Sequence, residues 1–295
     1  MSIIDDIKES YKRGTTLNKL IYLNLGLFLA VQIVRIVLYL SNSYDMYDGF
    51  LRFLAIPSNP HVLVRRPWTF ITYMFLHEGF LHIFFNLLWL FWFGSIFIQE
   101  LGTKKLLSTY LLGGLAGGVL FVLFYNLFPV FAPVRDQAIA LGASASVMAV
   151  VVAAAAYRPD RRLYLVLIGP VKIGYIALVM FVLTSLIDFS VNAGGKIAHI
   201  GGALMGFLFA YYYKRGKDIF RGFDRMMDRM ATWFAPGKKR MRVTHKRPAD
   251  DIEYNRQKAD EQKEVDQILE KISKGGYDSL TAREKELLFR MSNKK

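Results

Sequence analysis

Apolar residues in this chain gather into six long runs, separated by short connections that carry most of the charge. The runs cover residues 20–40, 82–98, 106–128, 141–156, 173–189 and 199–213. Crossing about 30 Å of hydrocarbon takes roughly 20 apolar residues in a helix, and all six runs approach that length. The pattern predicts an all-α polytopic membrane protein, a bundle of six transmembrane helices. The first run is too long for a signal-peptide core and ends without a small-x-small cleavage pattern, so it reads as a retained anchor. A Gly169-Pro170 break is expected to end a short apolar lead-in to the fifth run. Gly113 with Gly117, Gly114 with Gly118, and Gly202 with Gly206 recur at four-residue spacing. Small residues placed that way let membrane helices approach closely.

The connections have patterns of their own. In the long first loop, 47–54 and 68–76 are aromatic-rich and amphipathic, as expected of segments lying in the outer interface. Beyond Tyr213, Ile219, Phe220, Phe223, Met226, Met227, Met230 and Trp233 recur mostly at three- and four-residue steps among Arg and Asp. That spacing predicts an amphipathic helix on a membrane surface. Residues 238–247 are polybasic, and 250–263 read as a solvated linker. Two short helices are expected to close the chain. One is faced by Val265, Ile268, Leu269 and Ile272, and the other opens with a Thr281/Glu284 capping box. The organisation predicted is an N-terminal cytoplasmic segment (1–19), the membrane domain (20–213), a basic juxtamembrane segment (214–247) and a cytoplasmic linker with a helical tail (248–295).

Composition fixes the class. Of 295 residues, 53% are hydrophobic, yet the formal charge is +14. The two figures agree only if apolar residues span a bilayer and basic ones flank it. There is no cysteine, which excludes disulfides and thiolate chemistry. Lys8, Lys12, Arg13 and Lys19 precede the first run. Lys104 and Lys105 follow the second, and Arg158, Arg161 and Arg162 follow the fourth. Arg52, Arg65 and Arg66 in the first loop are the exception. By the positive-inside rule both termini are cytoplasmic. The basic tail then favours anionic inner-leaflet lipids as partners, with no nucleic acid expected.

Parity of the runs brings chemistry together. Runs two, four and six all start at the same face of the bilayer. His82 and Asn86 lie early in run two, Ser144 early in run four, and His199 at the start of run six. A serine hydroxyl becomes a nucleophile when a neutral imidazole takes its proton, which points to Ser144 and His199. No acidic residue lies near His199 in sequence, so a dyad is more economical than a triad. His82 and Asn86, four apart on one helix face, are candidate donors to an oxyanion, with the Ser144 backbone N–H near a helix N-terminus as a third. Ser146 falls on the opposite side of its helix and reads as packing. His77 and Glu78 read as solvated, and no third ligand accompanies them for a metal.

His82-x-x-x-Asn86, Gly142-Ala143-Ser144 and Ala198-His199-x-x-Gly202-x-x-x-Gly206, together with Arg66-Pro67-Trp68 and Gln99-Glu100-Leu101-Gly102, resemble the rhomboid family of intramembrane serine proteases. The resemblance covers about residues 65–213. It implies a serine endopeptidase of a bacterial inner membrane, with Ser144 as nucleophile, His199 as base and His82 and Asn86 as oxyanion stabilisers. It implies single-span membrane proteins as substrates, cut near small residues, and no cofactor or metal. Ala145 stands where the family carries a glycine after the serine, and its methyl is expected to crowd the sixth helix or the substrate. The alternative reading is a rhomboid-like protein without protease activity that binds or escorts membrane clients.

Overall fold

The computed structural model describes residues 14–165, 168–234 and 251–292. It divides into two compact units, Met1–Phe234 and Ala235–Lys295. Helix α1 (Thr16–Leu40) is capped by the Thr15 hydroxyl, which accepts from the Asn18 N–H at 3.4 Å. A crossing segment follows: α2 (Asp45–Leu54), β1 (Ile56–Pro57), α3 (Pro60–Arg65), α4 (Thr69–Thr72) and a 3-10 turn at Tyr73–Phe75. Next come α5 (Phe80–Leu101) and α6 (Thr103–Leu127), joined through Gly102 alone at φ +85°, a conformation that suits glycine. Strand β2 (Ile139–Ala140) leads into α7 (Ser144–Tyr157). A hairpin of β3 (Arg162–Leu165) and β4 (Gly169–Lys172) precedes α8 (Ile173–Ser185) and α9 (Ala193–Lys214). Helix α10 (Arg221–Phe234) ends the first unit. In the second unit, α11 (Asp251–Gly275) and α12 (Ala282–Ser292) are tied by Lys271 to Glu284 at 3.0 Å.

Four helices, α1, α5, α6 and α9, are long and apolar enough to cross a membrane. Helices α7 and α8 are apolar but shorter, at 14 and 13 residues. At 1.5 Å per residue each covers about 20 Å, less than the hydrocarbon thickness. The expected fourth and fifth runs were longer than these helices: residues 141–143 precede α7 and residues 186–189 follow α8 outside helix. Residues 139–140 are strand, and Gly142 turns the chain into α7 at Ser144. The Gly169-Pro170 break lies in an antiparallel hairpin that pairs Leu163 with Val171 and Leu165 with Gly169. The sixth run likewise begins earlier than expected, since α9 starts at Ala193.

The centre of the bundle is α7. Val147, Met148, Ala149, Val150 and Val151 are all buried, as are Ala153 and Ala154. Helices α6 and α9 reach it through glycine. A Cβ added to Gly202 would lie 2.1 Å from the Ala145 carbonyl oxygen, and one on Gly206 2.2 Å from that of Ala149. On α6, a Cβ at Gly113 would meet the Ala149 methyl at 2.2 Å. The expected four-residue glycine spacing is thus a three-helix seam in which backbones touch. A buried polar knot fastens α1 to it: Asn24 donates to the Tyr110 hydroxyl at 3.1 Å, and Tyr110 donates to the Met74 carbonyl at 3.2 Å.

Beyond Tyr213 the expected amphipathic helix is present and the expected linker is not. The amphipathic helix beyond Tyr213 is α10, and Asp224, buried in it, pairs with Lys105 and accepts from the Ser108 hydroxyl. Phe220 stacks on Phe209 with ring centroids 4.5 Å apart. The stretch 251–263, expected as linker, is the first half of α11, where Glu, Gln, Lys and Arg give ordinary helix propensity despite a weak apolar face. The polybasic run 238–247 lies outside the described residues, as do Lys8, Lys12 and Arg13.

Candidate active site

Ser144 is the first residue of α7, half-buried, with a helix N-terminus whose leading amide N–H groups have no intrahelical carbonyl. What aims it is the turn before it. Gly142 sits at φ +133°, and its N–H donates to the Tyr73 carbonyl at 2.9 Å. The Tyr73 hydroxyl in turn donates to the Gly114 carbonyl on α6. Strand β2, paired with β1 through Ile56 and Ala140, fixes the approach from the other side. The loop carrying the serine is therefore held by the crossing segment, the part of the chain expected to lie at the interface.

Gly142 is required twice over. Its φ suits a residue without Cβ, and a Cβ there would sit 3.0 Å from Cε1 and 3.2 Å from Nε2 of His82. The same point lies 3.5 Å from the Ser144 Oγ. The hydroxyl and the edge of the His82 ring thus face one small space that the glycine leaves open.

His82, Asn86, Ser144 and His199 all line one cavity of about 570 Å³. They come from α5, α7 and α9, and α8 closes a wall with Met180 and Thr184. His199 is in the second turn of α9 rather than at its start. Its Nδ1 lies 3.2 Å from the Thr184 carbonyl oxygen. A carbonyl only accepts, so Nδ1 carries the proton and Nε2 is left as the basic nitrogen. The orienting partner is a main-chain carbonyl; the sequence reading left that task to packing. Among the described residues no hydrogen bond joins Ser144 to His199, in keeping with the long contacts of unliganded hydrolytic sites.

Asn86 is buried and donates from Nδ2 to the His82 carbonyl at 2.9 Å, one turn back on its own helix. That bond leaves its second amide hydrogen free for the cavity. Ser146 is fully buried against α6, with its Oγ 2.4 Å from where a Gly114 Cβ would be. It lies outside the cavity lining. Ala145 does not line the cavity either: its methyl packs onto α6, 2.6 Å from where a Gly117 Cβ would be. The expected crowding is absent because the methyl meets a glycine on the neighbouring helix. The approach of α9 is governed by the Ala145 carbonyl instead.

His77 departs from the expectation of a solvated residue. It is 2% exposed, neither ring nitrogen has a partner, and its ring meets that of His82 at 5.1 Å and 70°. Burial, with the neighbouring His82, pushes its pKa down to about 4. Glu78 remains at the cavity edge. No group of three metal-ligating side chains occurs among the described residues.

Other wall residues lacked a clear signal. Thr184 acts through its backbone, which side-chain type does not report. Asn192, in the left-handed region at φ 52°, caps α9 by accepting from the Gly195 N–H at 3.2 Å and also lines the cavity. An Asn before Ala-Gly-Gly is a capping signature and was legible as such.

The Rhomboid domain family matches residues 64–216. Residues 250–294 match a family of unknown function (DUF6576). The Rhomboid protease GlpG of Pectobacterium atrosepticum is 33% identical over 92 residues, covering 31% of this chain and 33% of that protein. Rhomboid protease GlpG from Salmonella paratyphi A and from Salmonella typhi is 32% identical over 88 residues, covering 30% of this chain and 32% of theirs. The chain thus spans about a third of the length of the curated relatives it matches.

Proposed function

This chain belongs to the rhomboid family and is an integral membrane protein, and from that premise we propose that it is a serine endopeptidase cleaving peptide bonds in or near transmembrane segments. The observation that carries the proposal is the convergence of Ser144, His199, His82 and Asn86 on one cavity, with His199 oriented by the Thr184 carbonyl. In this reading α7 and α8 complete six spans within a bilayer thinned or tilted around them. Both termini are cytoplasmic, in a bacterial inner membrane, and the basic segment after α10 draws anionic inner-leaflet lipids.

The chemistry follows from the groups present. Ser144 Oγ attacks the scissile carbonyl carbon as His199 Nε2 takes its proton. The carbonyl π-bond opens to an oxyanion, which accepts from His82, Asn86 and the Ser144 N–H. Each such donor is worth about 2.7–4 kcal/mol in the transition state. The tetrahedral species collapses as the imidazolium gives its proton to the leaving amine, and the acyl group stays on Ser144. Water, deprotonated by the same imidazole, then releases the acid. Phe85 and Trp89 on α5 and Met180 on α8 line the cavity between the two helices, an apolar wall suited to an unwinding single-span substrate.

The test is a fluorophosphonate probe on detergent-solubilised protein. Labelling lost in Ser144→Ala and retained in Ser146→Ala is the expected result. Labelling absent in the wild type overturns the proposal and favours a rhomboid-like protein that binds or escorts membrane clients. Removal of residues 235–295 is expected to leave cleavage of a model span intact, since every proposed catalytic group precedes them.

A further inference from the structure

We propose that a groove toward the opposite end of α7 and α8 from the catalytic cavity binds an anionic phospholipid, with one acyl chain between α7, α8 and α9 and the phosphate at Lys214 and Arg215. The groove measures about 460 Å³ and is lined almost wholly by carbon, including Ala155 and Ala156 on α7, Gly174 and Ala177 on α8, and Ala203 and Phe207 on α9. Small residues elsewhere in this bundle bring backbones into contact, as Gly202 does with Ala145. Here small residues on three helices face a recess that no side chain among the described residues fills. In a bilayer such a recess holds no water, because its walls offer nothing for water to bond, and hydrocarbon is what remains to fill it.

What picks out an anionic lipid is the end of the groove. Ala156 and Phe207 also line a second recess, formed with Tyr211, Lys214 and Arg215, so the two are continuous. Along α9, Leu204, Phe207, Tyr211 and Arg215 follow at three- and four-residue steps, passing from aliphatic to aromatic to cationic on one helix face. That is the order of acyl chain, interface and headgroup in a leaflet. Lys214 donates to the Ala156 carbonyl at 3.1 Å, which holds its ammonium at the groove mouth. The Arg215 guanidinium lies 3.5 Å from the centroid of the Tyr211 ring. Among the described residues neither cation has a carboxylate partner. Asp160, the acid within electrostatic range of Lys214, is bonded to Lys172 at 2.8 Å. Two positioned cations beside a groove of hydrocarbon width match one phosphodiester with its chain.

The proposal rests on membrane insertion, not on proteolysis, and its test needs no cleavage. Delipidated full-length protein in a neutral detergent, as wild type and as Ser144→Ala, is titrated with 1-palmitoyl-2-oleoyl phosphatidylglycerol or phosphatidylcholine. Native mass spectrometry counts bound lipid. The expected result is phosphatidylglycerol binding roughly tenfold tighter, the scale of two cations near a headgroup. Lys214→Gln with Arg215→Gln, both on exposed side chains, is expected to bring the two lipids within about twofold of each other. Ala177→Leu and Ala156→Leu fill the groove and are expected to weaken both lipids alike. Equal wild-type affinities, or a preference that survives the double exchange, overturns the proposal. So does a lipid-free dimer broken by the groove-filling variants, which makes a second copy of the chain the occupant.

Discussion

Helices α7 and α8 are nearly the same length and both strongly apolar, yet one is the best buried element of the bundle and the other is mostly exposed. In α7 the run from Ala145 to Ala155 is buried but for Val152, whereas in α8 only Ile173, Ile176, Ala177 and Ser185 are. Tyr175, Leu178, Val179 and Leu183 all face outward at more than half exposure. Hydrophobicity does not separate the two, because lipid is as apolar as a protein core and exerts no drive to bury one helix more than another. Side-chain size does. Helix α7 is built of Ala, Val and Ser, so backbones on either side can touch it; α8 carries Ile, Leu, Phe and Met, which fill space toward lipid. The contrast matters for the site: the proposed nucleophile rides on the encased helix, and α8 supplies the wall and one carbonyl.

The largest expected effect tests whether the chemistry belongs to α7. Ser144→Ala is expected to lower turnover of a model transmembrane substrate by about 10⁴-fold or more, with thermal unfolding in micelles unchanged. Turnover within tenfold of wild type would place the nucleophile elsewhere and dissolve the link between encasement and catalysis.

Next in size is the seam. Gly202→Ala puts a methyl 2.1 Å from the Ala145 carbonyl, so α7 and α9 must separate. A loss of about 3 kcal/mol in unfolding by denaturant is expected, since no flexible side chain is there to give way and the packed helices must move apart. Gly49→Ala, with nothing within 4 Å, serves as the control and is expected to stay within about 0.5 kcal/mol.

Burial around the crossing segment gives a pH signature. His77 is held down to about 4 from its ordinary 6.5, so between those values the unfolded chain binds more protons. Its contribution is complete above pH 6.5, is lost progressively as pH falls from 6.5 towards 4, and is gone below 4. Wild-type protein is expected to lose about 2 kcal/mol between pH 7 and pH 5 relative to His77→Phe. Parallel pH profiles for the two proteins would mean that His77 is solvated after all.

The smallest effect lies on α8. Leu183→Ala is expected to change stability by less than about 0.5 kcal/mol, as its side chain faces outward both before and after truncation. A loss above 2 kcal/mol, read by the same denaturant curves, would show α8 packed as firmly as α7.

The four candidate side chains were legible because a membrane makes polar groups costly, so Ser144, His199, His82 and Asn86 stand out in apolar runs. Ser146 stands out equally, and only its helical phase, half a turn from Ser144, separated it. His77 was misread because its burial, with its ring against that of His82, is a tertiary outcome with no local period. The start of α7 was misjudged because Leu141 is apolar enough to extend the run, but Gly142 at φ +133° turns the chain and the helix begins at Ser144.

By itself the sequence determined the class, most of the apolar helices and the polar quartet, since each depends on local composition, on a helix period or on the cost of a polar group in hydrocarbon. Tertiary structure alone decided which apolar helix lies at the centre, what orients His199, where the Ala145 methyl goes and that His77 is dry. Those outcomes depend on which backbone comes within van der Waals distance of which other. Nothing in the order of residues along one helix states the distance to the next.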